Sequence, residues 1–241
     1  MLRHLGSKRT YGHNVKLAAM LSLTAGFVNA AGFLGFSVLT TNVTGHAALF
    51  AESIAMKEWQ SARVIALWMF LFLAGAFVSS FIVSSLGKDQ RFSFVGPVLL
   101  ETIIFVIVGL TGYNYDQSLV LKEVFAGSLL FSMGMQNALV TVISGSVVWT
   151  THLTGTFTDL GIELAQLVKR NGIDQKALKA RVKLRAVIIF FFLIGALAGA
   201  YIFRYVHFFA FFVPAALLIY AMLYDIFRIK IKYYYRHMRR V

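Results

Sequence analysis

The chain has 241 residues, 59% of them hydrophobic and 14% charged, with a mean hydropathy of +0.73. These values exclude an ordinary soluble domain and leave room for six to eight spans of roughly 20 residues. The formal charge of +13 does not signal nucleic acid, because Lys and Arg cluster in the lead-in, in the 169–185 link and after Phe227, as expected of cytoplasmic segments. No Cys is present, which excludes disulfides and thiolate metal sites and leaves the compartment open.

In chain order, a basic N-terminus (1–13) precedes a first apolar run from Val15 to Leu39. Val28 and Ala30 resemble a signal-peptide cleavage site, but the segment Gly26 to Ala30 recurs inside the protein, which argues against removal. Further apolar runs cover 62–86, 94–112, 119–143, 184–206 and 208–227, each close to the length that crosses a hydrocarbon core of about 30 Å. Two segments differ. Thr41–Met56 and Thr151–Val168 are shorter or more polar and open with threonines, an Asn or His, and a Gly. β-favouring stretches, Val38-Leu39-Thr40-Thr41 and Val147-Val148-Trp149-Thr150-Thr151, precede them. The pattern predicts an extended piece entering a short helix, with Asn42 or Thr44 and Thr151 or Thr154 as N-caps.

These features occur twice. Gly26-Phe27-Val28-Asn29-Ala30 and Thr40-Thr41-Asn42-Val43-Thr44-Gly45 match Gly134-Met135-Gln136-Asn137-Ala138 and Thr150-Thr151-His152-Leu153-Thr154-Gly155. Leu73-Ala74-Gly75-Ala76 parallels Leu193-Ile194-Gly195-Ala196, and Pro97 and Pro214 follow in the same order. A duplicated membrane unit is expected, with repeat 1 over 14–112 and repeat 2 over 119–227, and a basic cytoplasmic tail over 228–241. Paired polar breaks in an apolar duplication are typical of transporter-like folds.

The expected fold is therefore an all-α polytopic membrane protein with two tandem repeats. Six full spans plus two short broken or re-entrant helices are favoured over eight spans. Both versions place the two termini and the 169–185 link inside. They differ on the 113–122 loop, whose Asp116, Lys122 and Glu123 decide little.

Irregular backbone at membrane depth is tolerated only beside protein or a wet cavity, so the two Thr-Gly junctions are the expected site. Its substrate-binding candidates are Asn29, Thr41, Asn42, Thr44, Gly45, Gln136, Asn137, Thr151, His152, Thr154, Gly155 and Thr158. The amides among them equally suit helix-to-helix hydrogen bonding. Asp159, costly at membrane depth, is the candidate for proton coupling; its bland alternative is an acid at a helix N-terminal turn. By the same alignment its counterpart is Leu49, while Asn42 aligns with His152 and His46 with Thr156. His46 and His152 suit a solute contact, a proton shuttle or a structural tie. Glu52 and Glu163 read as solvated helix ends. Gly195 and Gly199 form a small-xxx-small pair for helix contact.

Enzyme chemistry finds no HExxH, Walker loop or GxSxG. Ser144-Gly145-Ser146 near His152 faintly resembles a serine hydrolase, yet a bend needs no catalysis. No metal site or cofactor is expected. The link Lys169–Arg185 is expected to lie along the inner leaflet with Ile173, Ala177 and Leu178 toward lipid. Tyr233, Tyr234 and Tyr235 among basic residues suit an interfacial anchor.

Together, Gly26 to Ala30, Thr40 to Gly45, Met133 to Ala138 and Thr150 to Asp159 resemble the YoaK-like family of bacterial inner-membrane proteins. The resemblance covers nearly the whole chain and implies a multi-pass protein of the bacterial cytoplasmic membrane, in a family of unknown function. The extended-piece-plus-half-helix pattern also looks like transporters of the uracil and sulfate permease type, a structural analogy only.

The function expected is a secondary transporter or exporter of a small polar solute, anionic or neutral, with a midplane site at two half-helix N-termini that would favour an anionic group. The alternative is a non-transporting scaffold or lipid-binding accessory protein. Expected partners are the lipid bilayer and a small-molecule solute, with a homo-oligomer admitted.

Overall fold

A computed structural model describes residues 10–85, 92–115, 118–145, 147–148, 150–169 and 174–238. Helices α1 (Tyr11–Phe36), α2 (Val43–Ala55), α3 (Trp59–Ser85) and α4 (Val95–Thr111) precede α5 (Leu119–Ser144), α6 (Leu153–Lys169), α7 (Gln175–Val206) and α8 (Phe212–Met238). Short 3₁₀ turns follow α4 at Gly112–Asn114 and separate α7 from α8 at His207–Phe211. No strand occurs among the described residues, so the β-favouring lead-ins are irregular backbone without a ladder partner. Trp149 and Ser146 lie outside the described residues, as do Asp116, Ile173 and the lead-in before Thr10.

Five stretches are long and apolar enough to cross a membrane: Tyr11–Phe36, Trp59–Ser85, Val95–Asn114, Val120–Ser144 and Gln175–Asp225. The last, 51 residues long, contains α7, the 3₁₀ turn and the start of α8. By contrast α2 has 13 residues, about 20 Å of helix, well short of a hydrocarbon core. The outward face of α3 exposes Phe70, Phe77 and Phe81, and that of α7 exposes Leu197, Tyr201 and Tyr205. Such apolar surface is stable only against lipid or another protein.

Partner choice is set by backbone approach at glycines. α1 crosses α7 where a Cβ on Gly26 would overlap the Phe192 carbonyl, and one on Gly195 would overlap that of Leu23. α3 crosses α5 in the same manner, Gly75 against Phe131 and Gly134 against Phe72. Both crossings are parallel: in the first Leu23 meets Gly195, Phe27 meets Gly199 and Gly35 meets Phe203, and in the second Trp68 and Leu71 lie by Gly127 and Gly75 meets Phe131. In contrast α1 and α5 are antiparallel. Gln136 donates to the Leu21 carbonyl (2.8 Å), Gly32 lies by Leu129, and Phe36 stacks on Phe125 (5.3–5.4 Å from Tyr115 and Phe125 centroids). α4 and α8 are antiparallel too, with Gly109 against Phe212 and Gly112 against Phe208.

Pro97 and Pro214 each stand third in their helix, α4 and α8. The first four helical N–H groups have no intrahelical acceptor, so a proline costs no hydrogen bond there. α1 and α5 both end on a left-handed residue, Ser37 (φ 57°) and Gly145 (φ 65°). That turn throws the chain off the helix axis and into the irregular lead-ins.

The 169–185 link departs from expectation. Lys176 to Arg185 form the first turns of α7, capped by Asp174, whose Oδ1 accepts from the N–H groups of Lys176 (2.9 Å) and Ala177 (3.3 Å). Leu178 is fully buried instead of facing lipid. The reason is capping: Asp174 starts the helix early, so the basic residues extend the span itself.

Candidate functional site

A cavity of about 610 Å³ lies where α2 and α6 begin. Asn29, Thr41, Asn42, Thr44, Thr151, His152 and Thr154 line it, joined by Phe72 from α3 and Phe192 from α7. Residues about 110 apart in sequence are thus brought to one space.

Each lead-in is latched by an amide on the preceding long helix. The Asn29 Oδ1 accepts from the Thr41 N–H (3.1 Å), and the Asn137 Oδ1 accepts from the Thr151 hydroxyl (2.8 Å). The latch pairs polar groups of the irregular lead-ins and holds that backbone in register. α2 is then capped by Asn42, whose Oδ1 accepts from the Gly45 N–H at 3.0 Å. α6 differs. It starts at Leu153, so His152 occupies the preceding position, and neither Thr151 nor Thr154 does. The Thr151 hydroxyl donates to Asn137 and holds the lead-in, not the helix start. A Cβ on Gly155 would meet nothing within 4 Å, whereas one on Gly45 would meet the Asn42 amide at 2.6 Å. The start of α6 is therefore the more open of the two.

The remaining candidates lie outside the cavity wall. Gln136 is buried and joins α5 to α1 through the Leu21 carbonyl, as helix glue. Asn137 acts through Thr151, and Gly45 and Gly155 lie one residue beyond lining threonines. The Thr158 hydroxyl donates to the Thr154 carbonyl (3.0 Å) on the exposed side of α6. His46 is buried, with Nε2 2.9 Å from the Leu39 carbonyl and its ring edge-on to Trp68 (5.8 Å); it is a tie between α2, its lead-in and α3. Ser144 accepts from the Val147 and Val148 N–H groups (3.2 and 3.0 Å), which makes it a bend-forming residue.

Asp159, the proton-coupling candidate, lies on α6 five residues beyond the lining Thr154. It does not line the cavity; its carboxylate meets Arg185 of α7 at 3.0 Å. Glu163, one turn on, is buried and flanked by Arg185 (4.0 Å) and Arg181 (3.7 Å). So Glu163 is no solvated helix end, and two link arginines bind carboxylates instead of headgroups. Sequence inspection missed that pairing, since the partners are on separate helices. It also missed Phe72 and Phe192, although each immediately precedes a matched Leu-x-Gly-Ala segment. Glu101, buried in α4 at 1% exposure, was hidden by the hydropathy of its span.

The helices and this cavity define an all-helical protein of membrane-spanning type. The model of the family described as "Protein of unknown function (DUF1275)" matches residues 17–224. The chain belongs to this family, the YoaK-like family that its motifs resemble. No curated protein and no solved structure matches it.

Proposed function

We propose that the protein is a secondary transporter or exporter of a small polar solute, bound where α2 and α6 begin. The observation that carries this is the meeting of two short-helix starts, from matching parts of the sequence, across one cavity lined by Asn and Thr. Helix N-termini offer free N–H groups and a favourable dipole to an anionic group. A scaffold needs no such interruption of its spans.

The same proposal includes an inverted duplication with six spans, 14–112 matching 119–227. It is supported by the antiparallel course of α1 against α5 and of α4 against α8. Eight spans would make each of those pairs parallel. With the basic segments inside, both termini are cytoplasmic, and the bacterial inner membrane is the proposed location. A Cys placed at Asn114 in this Cys-free chain is expected to react with an impermeant thiol reagent from outside. Protection of Asn114→Cys would support eight spans.

The transport reading is tested with purified protein and metabolite classes in a thermal-shift screen, followed by uptake into liposomes. A solute that stabilises the wild type should fail to stabilise Ala76→Trp, which fills the cavity wall on α3. Uptake of that solute should fall at least about tenfold in the variant. Thr154→Val should weaken binding by a smaller factor, through loss of one hydroxyl. Equal uptake by wild type and Ala76→Trp would remove the cavity from any transport role.

A further inference from the structure

We propose that the solute is a flat aromatic or heteroaromatic compound of at most one charge, its ring held between Phe72 and Phe192. This rests on the transporter reading and narrows its substrate class.

Phe72 on α3 and Phe192 on α7 line the same cavity. Each stands three residues before a crossing glycine, Gly75 or Gly195. The backbone of each is itself pinned at a crossing: the Phe72 carbonyl faces Gly134 and the Phe192 carbonyl faces Gly26. A Cβ on either glycine would come within 2.9 Å of the corresponding Phe carbonyl carbon, so both crossings have the same closeness. Two phenylalanines, one from each half of the sequence, thus line one space from backbone fixed at close glycine crossings. Rigid mounting reduces the ordering cost of binding, and aromatic pairs add directional attraction beyond the area they bury.

Charge narrows the class further. Among the described residues the lining contains no Lys, Arg, Asp or Glu, and His152 is the one titratable side chain. A solute with two charges would lose hydration and gain no countercharge. The threonine hydroxyls and amides at the lead-ins instead suit one polar or singly charged edge, leaving the ring to the phenyl groups.

The test is calorimetric titration of the full chain in detergent with matched pairs: benzoate against hexanoate, benzamide against hexanamide, and phthalate as the doubly charged member. Ala76→Trp protein corrects for partition into micelles. At least one ring compound is expected to bind about tenfold or more tighter than its aliphatic match, and phthalate to bind no better than to Ala76→Trp. Phe72→Leu and Phe192→Leu keep an apolar side chain of similar size and should fold normally, but each should erase that advantage. The proposal is overturned if no ring compound binds, if aliphatic matches bind equally well, or if the advantage survives either Leu variant. Aliphatic binding that Ala76→Trp abolishes would overturn the ring assignment alone and leave the transporter reading in place. Binding of every solute unchanged by Ala76→Trp would remove both.

Discussion

Gly26→Val and Gly195→Val are each expected to lower the melting temperature by roughly 6–12 °C, or to prevent recovery of monodisperse protein. The two glycines form one contact from opposite sides, and a side chain on either would overlap a backbone carbonyl of the facing helix. Backbone cannot rotate away as a flexible side chain can. The α1 and α7 axes would have to separate, giving up the packing on both sides of the crossing. Overpacking costs typically 1–3 kcal/mol where side chains can adjust, so about 3 kcal/mol or more is expected where they cannot. Lipid makes this worse, since association of spans depends on close van der Waals contact more than on a hydrophobic drive. Gly161→Ala supplies the contrast. Nothing lies within 4 Å of a Cβ there, so the change should gain about 0.5–1 kcal/mol of helix propensity. A melting curve for Gly26→Val that overlays the wild type would show that the α1–α7 crossing is wrongly drawn.

Arg185→Met should cost about 2–3 kcal/mol, the second large effect. The Arg185 side chain is 14% exposed and that of Glu163 is 10% exposed, while Asp159 is 34% exposed. Removing one partner of a buried ion pair costs about 3–5 kcal/mol because a charge is left behind. Here the figure is smaller, since Asp159 keeps some solvent and Arg181 remains near Glu163 at 3.7 Å. Neutralising the whole group, Arg185→Met with Glu163→Gln and Asp159→Asn, should restore most of the loss. Arg181→Ala, at the exposed end (54%), should cost less than about 1 kcal/mol. A melting-temperature cycle over these variants reads the coupling directly. Equal losses for Arg181 and Arg185 variants would mean the pair at Asp159 contributes nothing special. Asp159→Asn is accordingly expected to lower stability, with solute uptake keeping its pH profile. A flattened pH profile would show that this acid carries the coupling proton.

The spans were legible because bilayer thickness demands long apolar runs, and hydropathy reports them without knowledge of contacts. α3, α4 and α5 lie within a few residues of the runs that predict them. The site was legible for a related reason. Polar residues and Thr-Gly pairs inside an apolar chain have few places to go, and the same short pattern occurs at two places in the sequence. That logic reached Asn29, Thr41, Asn42, Thr44, Thr151, His152 and Thr154. It could not separate a residue that lines the cavity from one that holds the lining, as Asn137 does, or one that joins two helices, as Gln136 does.

Composition and pattern by themselves determined that the chain is helical, membrane-type and broken at two matching points. Each of these is a local property, written in a window of a few turns. Only the tertiary structure decided that α1 packs on α7 and α3 on α5, that α1 opposes α5 in direction, and that Asp159 faces Arg185. The two crossings depend on which backbones can approach across a glycine roughly 60 to 170 residues away, from Gly75–Phe131 to Gly195–Leu23. Phe72 and Phe192 became neighbours of one cavity by that same approach, since the crossings that admit Gly26 and Gly134 set where their rings stand.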